Sequence, residues 1–197
     1  MCKSEFCETK KNSKCDGYCM RCCVHLFPDQ KVSRNFKTKE RAVVEFITER
    51  FPEYDWTNDR RVDGGCSLRR PDLFLDMLTF VLIIENDEYG DRHKTACDNR
   101  RLMELSQDVG HRPIVMLHFN PDSYKTSDGK TVRTCWFSHK THGMLYVPSK
   151  RVADWEHRLS ELEQRVRYYT TADCPPTRTI TEEFLFFNDP VDGDSSD

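Results

Sequence analysis

Apolar residues recur at helical spacing in three segments of the chain. The first, KERAVVEFITERF, follows Thr38, a candidate N-cap, and is stopped by Pro52. The second, CDNRRLMELSQDVG, has Asp98 as a candidate N-cap and Gly110 as a candidate C-cap. The third is SKRVADWEHRLSELEQRVRYYTT, whose apolar face is predicted to comprise Val152, Trp155, Leu159, Leu162 and Val166. Each segment therefore predicts an amphipathic helix.

Other segments have the patterns of strands. PDLFLDML and FVLIIEND are predicted to be two strands joined by a short turn near Thr79, and RPIVMLHF to be another buried strand. YDWTNDRRV alternates and predicts a further strand, while SDGK is typical of a hairpin turn. The order of elements predicts an α/β fold with an α-β-β-β-α-β core, a mixed central sheet and a C-terminal helix.

The composition of the chain changes along its length. Residues 1–28 are rich in cysteine and poor in apolar periodicity, and PDQKVSRNFKT after them is typical of a linker. Residues 38–124 hold the predicted α/β core, and residues 125–187 hold a hairpin-like loop and a helical extension packed on that core. Residues 188–197 form an acidic tail that is predicted to be disordered.

The overall charge gives no signal for a polyanionic partner. The 197 residues carry a formal net charge of −3, so a nucleic-acid binder would have to gather its positive charge locally. The longest apolar run, MLTFVLII, is too short to span a bilayer, and the N-terminus lacks the apolar stretch of a signal peptide. We therefore expect no membrane association and an intracellular, reducing compartment, either cytoplasm or nucleus.

Six of the ten cysteines lie within the first 23 residues, and this clustering favours metal ligation over a disulfide scaffold. Cys2 and Cys7 form one short-spaced pair, and Cys19 and Cys22 form another. A structural Zn²⁺ ion takes four tetrahedral thiolate or imidazole ligands, which two such pairs supply. We expect these four cysteines to build a zinc knuckle. Other candidates for the fourth ligand are Cys15, Cys23 and His25.

Carboxylates gather where two of the predicted strands meet. Asp72 begins one strand and Glu85 ends the next, so an antiparallel pairing would bring them to the same edge of the sheet. Glu85 and Asp87 project to the same face because they are two positions apart on a strand. Such a concentration of negative charge is unfavourable without a cation. We therefore predict that Asp72, Glu85 and Asp87 bind Mg²⁺ or Mn²⁺, which prefer oxygen ligands.

Three nearby residues are candidates for supporting roles. Glu40, in the first turn of the first helix, either takes part in the metal site or complements the helix dipole. His93 and Lys94 follow the second strand and are able to protonate a leaving oxygen or to steady a scissile phosphate. Both are also typical of an ordinary solvated surface.

The stretch RRPDLFLDMLTFVLIIENDE, with ELSQDVGHRPIV, resembles the PD-(D/E)XK or restriction-endonuclease-like superfamily, in particular its Vsr-like branch. Residues 1–124 also resemble a group of uncharacterised proteins from giant viruses and from algal or other protist genomes. The resemblance implies a restriction-endonuclease-like core in which Asp72 and Glu85 are metal ligands and Glu40 is the first-helix glutamate. Asp87 stands where the motif lysine is usual, as in the Vsr-like branch, and His93 lies farther from Asp87 than that branch's histidine.

The resemblance implies a divalent-metal-dependent DNA endonuclease, such as a homing or mobile-element nuclease. Double-stranded DNA is the favoured substrate, RNA stays open, and a homodimer is one option for its assembly. Basic residues near the strand ends and at the start of the second helix are the candidates for contacts to nucleic acid, namely Arg69, Arg70, Arg100 and Arg101. The alternative is a catalytically inactive module that binds nucleic acid or protein through a zinc knuckle.

Overall fold

The computed structural model describes residues 1–5, 7–36, 38–88, 90, 96–141, 143–171, 176 and 178–188, and for residues 96–98 the backbone alone. The helices in these ranges are α1 (Met20–Leu26), α2 (Lys31–Arg34), α3 (Thr38–Arg50), α4 (Ala96–Asp108) and α5 (Ser149–Thr171). The strands are β1 (Thr57–Asn58), β2 (Leu73–Asp76), β3 (Val81–Asn86), β4 (Ile114–Phe119), β5 (Tyr124–Lys125), β6 (Thr131–Val132), β7 (Phe137–Ser138), β8 (Leu145–Tyr146) and β9 (Ile180–Leu185).

A mixed sheet with the strand order β1-β2-β3-β4-β9 forms the centre of the described fold. β2 is antiparallel to β1 and to β3, so Leu73 stands opposite Ile84. β4 runs parallel to β3, since α4 carries the chain back between them, and β9 runs parallel to β4. The chain is therefore a mixed α/β protein, as predicted, with five strands in its described central sheet. The closer match to the restriction-endonuclease fold stays a prediction.

Helices cover both faces of the sheet. On one face, Ile47 of α3 and Leu162 of α5 pack with Ile84 in the larger hydrophobic cluster. On the other face, Leu105 of α4 packs with Ile83 in a smaller cluster. Neighbouring residues of β3 are thus buried on opposite sides, which explains why the strand is apolar at successive positions.

The three long helices form where the sequence predicts them, but α3 begins at Thr38, so the prediction of Thr38 as its N-cap is wrong. α5 spans the whole predicted segment, although Val152 of its predicted apolar face is 37% exposed. α4 begins at Ala96, so Asp98 lies inside the helix and its prediction as the N-cap is wrong. Gly110 follows α4 with a φ of +67°, a left-handed conformation that glycine adopts without strain at a helix end. Among the described residues, no helix is long and apolar enough to cross a membrane.

Several described elements lie where the sequence predicted none, among them α1 in the cysteine-rich segment. α2 forms a helical turn inside the predicted linker, and the β7–β8 hairpin precedes α5. β9 adds an edge strand after α5, so the C-terminal segment is part of the sheet rather than a helical extension alone. The SDGK turn is confirmed, because it connects β5 to β6. Of the predicted disordered tail, Asn188 is described and accepts a hydrogen bond from the backbone of Lys125, and the remainder lies outside the described residues.

Candidate functional site

Four cysteine thiols converge in the N-terminal module. The Sγ atoms of Cys2, Cys7, Cys19 and Cys22 all lie within 4.8 Å of one another, and those of Cys7 and Cys19 are 3.8 Å apart. Four thiolates around a tetrahedral Zn²⁺ ion with Zn–S bonds of about 2.3 Å would stand about 3.8 Å apart. These four cysteines can therefore bind a metal ion such as zinc, as the sequence predicted.

Backbone groups around the cluster stabilise negative charge on sulfur. The N–H of Cys19 donates to Sγ of Cys2 over 3.1 Å, and the N–H of Cys22 donates to Sγ of Cys19 over 3.5 Å. Burial opposes ionisation of Cys2, but hydrogen bonds from the backbone of Cys19 and Ser4 outweigh it and lower its pKa to about 6. A hydrogen bond with Ser4 favours ionisation of Cys22, but the neighbouring sulfurs of Cys19 and Cys7 raise its pKa to about 12. Some of these thiols thus keep their protons in the metal-free protein, and metal binding would release those protons.

The other candidate zinc ligands lie outside this group of four. Cys15 and Cys23 are buried in the module, whereas His25 is exposed. Sγ of Cys23 lies 3.6 Å from Oε1 of Gln30 and 3.9 Å from Oγ of Ser33. Cys23 therefore connects α1 to α2.

Asp72, Glu85 and Asp87 lie where the ends of β2 and β3 meet. The register of these antiparallel strands makes Asp72 and Glu85 the next pair beyond the ladder. The backbone N–H of Asn86 donates to Oδ2 of Asp72 over 2.8 Å, so the side chain of Asp72 reaches across to β3. The strand pairing predicted from the sequence is therefore confirmed, and it places the three acids at one end of the sheet.

Glu85 is buried, with 3% of its surface exposed. Burial raises the pKa of its carboxyl to about 8, against the lowering effect of Arg101, while the charges of Asp72 and Asp87 raise it further. Nη2 of Arg101, which extends from α4, lies 2.5 Å from Oε1 of Glu85. Glu85 is thus a proton-binding group near neutral pH unless a further cation comes close.

A histidine of β4 lies at the centre of the site. His118 is the parallel-strand partner of Glu85 and is 3% exposed. Its Nδ1 lies 2.6 Å from Oδ2 of Asp87, and its Nε2 lies 3.2 Å from Oε1 of Glu182 in β9. The ring is stacked on Phe184, with the two centroids 4.6 Å apart. Carboxylates on both ring nitrogens and an aromatic ring on one face fix the orientation of His118.

Glu85 and Asp87 line a small cavity, but the three acids Asp72, Glu85 and Asp87 do not converge on one point. The cavity has a volume of about 30 Å³ and is lined by Glu85, Asp87, Arg101, Leu102, Met116, His118 and Glu182. Among the described residues, the four cysteines alone bring three or more ligand atoms within 4.8 Å of one another, so Asp72, Glu85 and Asp87 do not. Their oxygens suit Mg²⁺ or Mn²⁺ chemically. Binding of one ion by all three acids would therefore require their side chains to move.

Of the three supporting candidates, Glu40 is among the described residues, and it does not line this cavity. Glu40 lines a different cavity, of about 360 Å³, together with Asn58 and Asp59. Its helix, α3, packs on the face of the sheet opposite α4. His93 and Lys94 lie outside the described residues. The roles predicted for these three residues stay predictions.

A buried lysine lies beside Glu40 in α3. Lys39 is 4% exposed, and its Nζ lies 2.7 Å from Oδ1 and 2.9 Å from Oδ2 of Asp122. A second carboxylate, that of Glu88 after β3, lies 3.2 Å from the same Nζ. Lys39 therefore connects α3 to the chain that follows β3 and β4. Sequence reasoning missed it because a lysine between apolar helix positions is usually solvated.

The four arginines predicted to contact nucleic acid all have partners within the chain. Arg69 and Arg100 share the carboxylate of Glu104, with N–O distances of 2.6 and 2.9 Å. Arg70 is paired with Asp59 at 3.1 Å. The fourth, Arg101, contacts the buried carboxyl group of Glu85. These pairs fasten the loop before β2 and the α4 helix, and contact with nucleic acid stays a prediction.

Comparison with protein-family models, with curated proteins and with solved structures gives no match to this chain. The relationship to the PD-(D/E)XK nucleases therefore remains a prediction from the sequence motifs. The geometry that is described consists of a four-cysteine cluster and of a buried acidic site organised around Glu85 and His118.

Proposed function

We propose that this chain is a divalent-metal-dependent nuclease that hydrolyses phosphodiester bonds in DNA. The observation that supports this most is the position of Asp72, Glu85 and Asp87 at the adjoining ends of β2 and β3, where burial and like charges raise the pKa of Glu85 to about 8. An enclosed acid of this kind is typical of sites that bind a cation or move a proton. Mg²⁺ or Mn²⁺ held by these carboxylates would supply the positive charge that activates water and stabilises the phosphate under attack.

The residues around the acids have distinct roles in this proposal. His118 holds Asp87 in position through its Nδ1 and is itself held by Glu182. Arg101 contacts the carboxyl group of Glu85 in the metal-free protein. When Glu85 becomes a metal ligand, the guanidinium of Arg101 is available to a phosphate oxygen, for which its planar N–H groups are suited. The zinc knuckle stabilises the N-terminal module, and RNA cleavage, a homodimer and the reducing compartment stay predictions.

Cleavage assays with matched variants test the proposal. Purified protein loaded with zinc is incubated with supercoiled plasmid, linear duplex and single-stranded DNA in the presence of Mg²⁺ or Mn²⁺. We expect cleavage by the wild type and a loss of at least about a hundredfold in Asp72→Asn, Glu85→Gln and Asp87→Asn. Asp76→Asn is the matched control, because Asp76 lies at the far end of β2 and is bound by Arg112.

Two results would contradict this proposal. Folded, zinc-loaded wild type that leaves every substrate intact in both metal ions shows that the site does not cleave DNA. Cleavage that persists unchanged in Asp72→Asn and Glu85→Gln shows that the activity lies elsewhere or belongs to a contaminant.

A second candidate function is that of a catalytically inactive module that binds nucleic acid or protein. The observation that favours it is the 2.5 Å contact between Arg101 and Glu85, which gives the buried carboxyl group a partner without a metal ion. In this case the wild type would bind DNA in a salt-dependent manner without cutting it. Glu85→Gln would then leave both the affinity and the absence of cleavage unchanged.

A further inference from the structure

The chain from Lys125 in β5 to the first turn of α5 concentrates positive charge. Residues 125–151 contain one acidic residue, Asp128, and six basic residues, a formal net charge of +5 compared with −3 for the whole chain. The basic residues are Lys125, Lys130, Arg133, Lys140, Lys150 and Arg151, and all but Arg151 are exposed. A cluster of basic residues in one segment is typical of a surface that binds a polyanion.

Two exposed aromatic rings stand side by side in this segment. Phe137 in β7 and Tyr146 in β8 are directly paired in the antiparallel hairpin, so both side chains project from the same face. Phe137 is 38% exposed and Tyr146 is 42% exposed. His139, two residues after Phe137, is on this face as well, with its ring centroid 5.9 Å from that of Tyr146. The hairpin thus presents a row of three rings to solvent.

The turn of the hairpin is fastened to the α2 segment, which follows the N-terminal module. Nδ2 of Asn35 donates to the carbonyl of Gly143 over 2.8 Å, and the N–H of Leu145 donates to Oδ1 of Asn35 over 2.9 Å. The side chain of Lys31 packs so closely on Gly143 that a Cβ at this position would clash with it. These contacts hold the rings in place before any ligand arrives and add a further cation to the surface.

We propose that the ring-bearing face of the β7–β8 hairpin binds single-stranded nucleic acid. Phe137 and Tyr146 stack on unpaired bases, while Arg133 and Lys140 contact phosphates. Aromatic rings beside a track of positive charge are the combination by which proteins hold single strands. A duplex hides the faces of its bases within the stack, so this surface favours a single strand. The inference rests on the proposed function only in taking nucleic acid as the ligand, and it concerns binding, not cleavage.

Binding is measured by fluorescence anisotropy with a labelled single-stranded oligonucleotide and with a duplex of the same sequence, without added divalent cations. We expect the wild type to prefer the single strand. The combined substitution Phe137→Ala and Tyr146→Ala weakens this binding about tenfold, because base stacking is lost. Tyr168→Ala is the matched control, since Tyr168 is an exposed aromatic residue on α5 (61%), and it leaves the affinity unchanged.

The charge component is tested by the salt dependence of the same binding. Lys140→Gln reduces the slope of log K against log salt by about 0.7, as expected for the loss of one phosphate contact on a single strand. A Kd for the single strand that is unchanged in the Phe137 and Tyr146 double variant overturns the inference. Tighter binding of the wild type to the duplex, or to polyglutamate as a polyanion without bases, overturns it as well. Weaker binding by that variant, in a protein that cleaves nothing, supports the hairpin surface and refutes the nuclease proposal. If the wild type cleaves DNA and the double variant changes neither cleavage nor binding, the result supports the nuclease proposal and refutes the hairpin surface.

Discussion

Nη2 of Arg101 lies 2.5 Å from Oε1 of Glu85, and this contact joins the α4 helix to a carboxyl that is 3% exposed. The guanidinium favours the ionised carboxylate, whereas burial favours the protonated acid. Burial prevails, since the pKa of Glu85 is raised to about 8. In the absence of a metal ion, the site therefore holds a proton at neutral pH that an exposed glutamate would have released.

The stability of the metal-free protein should depend on this proton. Folded Glu85 binds its proton more tightly than unfolded Glu85, so the stabilisation is fully present below pH 4.5 and is lost as the pH rises to about 8. Glu85→Gln removes the titration. The free energy of unfolding of the wild type, relative to the variant, should therefore fall by a few kcal/mol across this window and stay constant above it.

Urea denaturation of both proteins in zinc-containing buffers without Mg²⁺ or Mn²⁺ measures this difference. Comparison with the variant cancels the other titrating groups. A difference that is the same at both ends of the window would show that Glu85 is ionised throughout. Addition of Mn²⁺ should reduce the pH dependence, because a bound cation favours the carboxylate.

The buried pair between Lys39 and Asp122 should be important for stability. Lys39→Met leaves the buried carboxylate of Asp122 without its cation, which costs about 3–5 kcal/mol. Adding Asp122→Asn to this variant removes the unpaired charge and should recover part of the loss. Lys130→Met, at an exposed position of the β5–β6 turn, is the control. Urea denaturation that gives equal stability for Lys39→Met and the control would contradict this role.

The four-cysteine cluster should bind about one zinc ion per chain. Serine substitution at Cys2, Cys7, Cys19 or Cys22 should abolish stoichiometric binding, because each sulfur is one of four converging ligand atoms. Elemental analysis after dialysis against metal-free buffer measures the bound zinc. Cys66→Ser is the control, since Cys66 is exposed and far along the chain from the cluster. Full zinc content in all four ligand variants would mean that a different set of residues binds the metal.

The turn between β2 and β3 contains a strained residue. Leu78 has a φ of +64° and is 84% exposed, so its side chain gains little from packing and its backbone is in a region that glycine prefers. Leu78→Gly should stabilise the protein by up to about 1 kcal/mol, which thermal unfolding would detect. Leu68→Gly is the counterpart at an exposed leucine without a positive φ, and it should lower stability instead. A decrease in stability for both would show that Leu78 is not strained.

Local patterns in the sequence were sufficient to predict the three long helices and the inner strands. The α5 segment, β3, β4 and the set of four converging cysteines follow from helical spacing, from runs of apolar residues and from paired cysteines. The adjacency of Asp72 and Glu85 followed from one assumption, an antiparallel β2–β3 pair, which the register confirms. These features depend on residues close together in the chain.

The missing features depend on contacts between distant residues. β9 carries Glu182 and Glu183 in its middle, so its sequence lacks the apolar run of an inner strand, and its position follows only from pairing with β4. His118 lies within the apolar run that predicts β4, and the run alone does not indicate a role for its imidazole. The one polar side chain in IVMLHF was the available signal, because a buried histidine needs hydrogen-bond partners.

The position of β9 makes the acidic site depend on the segment that follows α5. The contacts of His118 with Glu182, through Nε2, and with the ring of Phe184 form only when β9 pairs with β4. A nascent chain that has emerged only as far as α5 has the earlier strands but an open edge beside this histidine. Proteolytic removal of the segment after α5 would likewise open the site while sparing β1–β4. The edge strand therefore makes a complete acidic site conditional on the presence of the segment after α5.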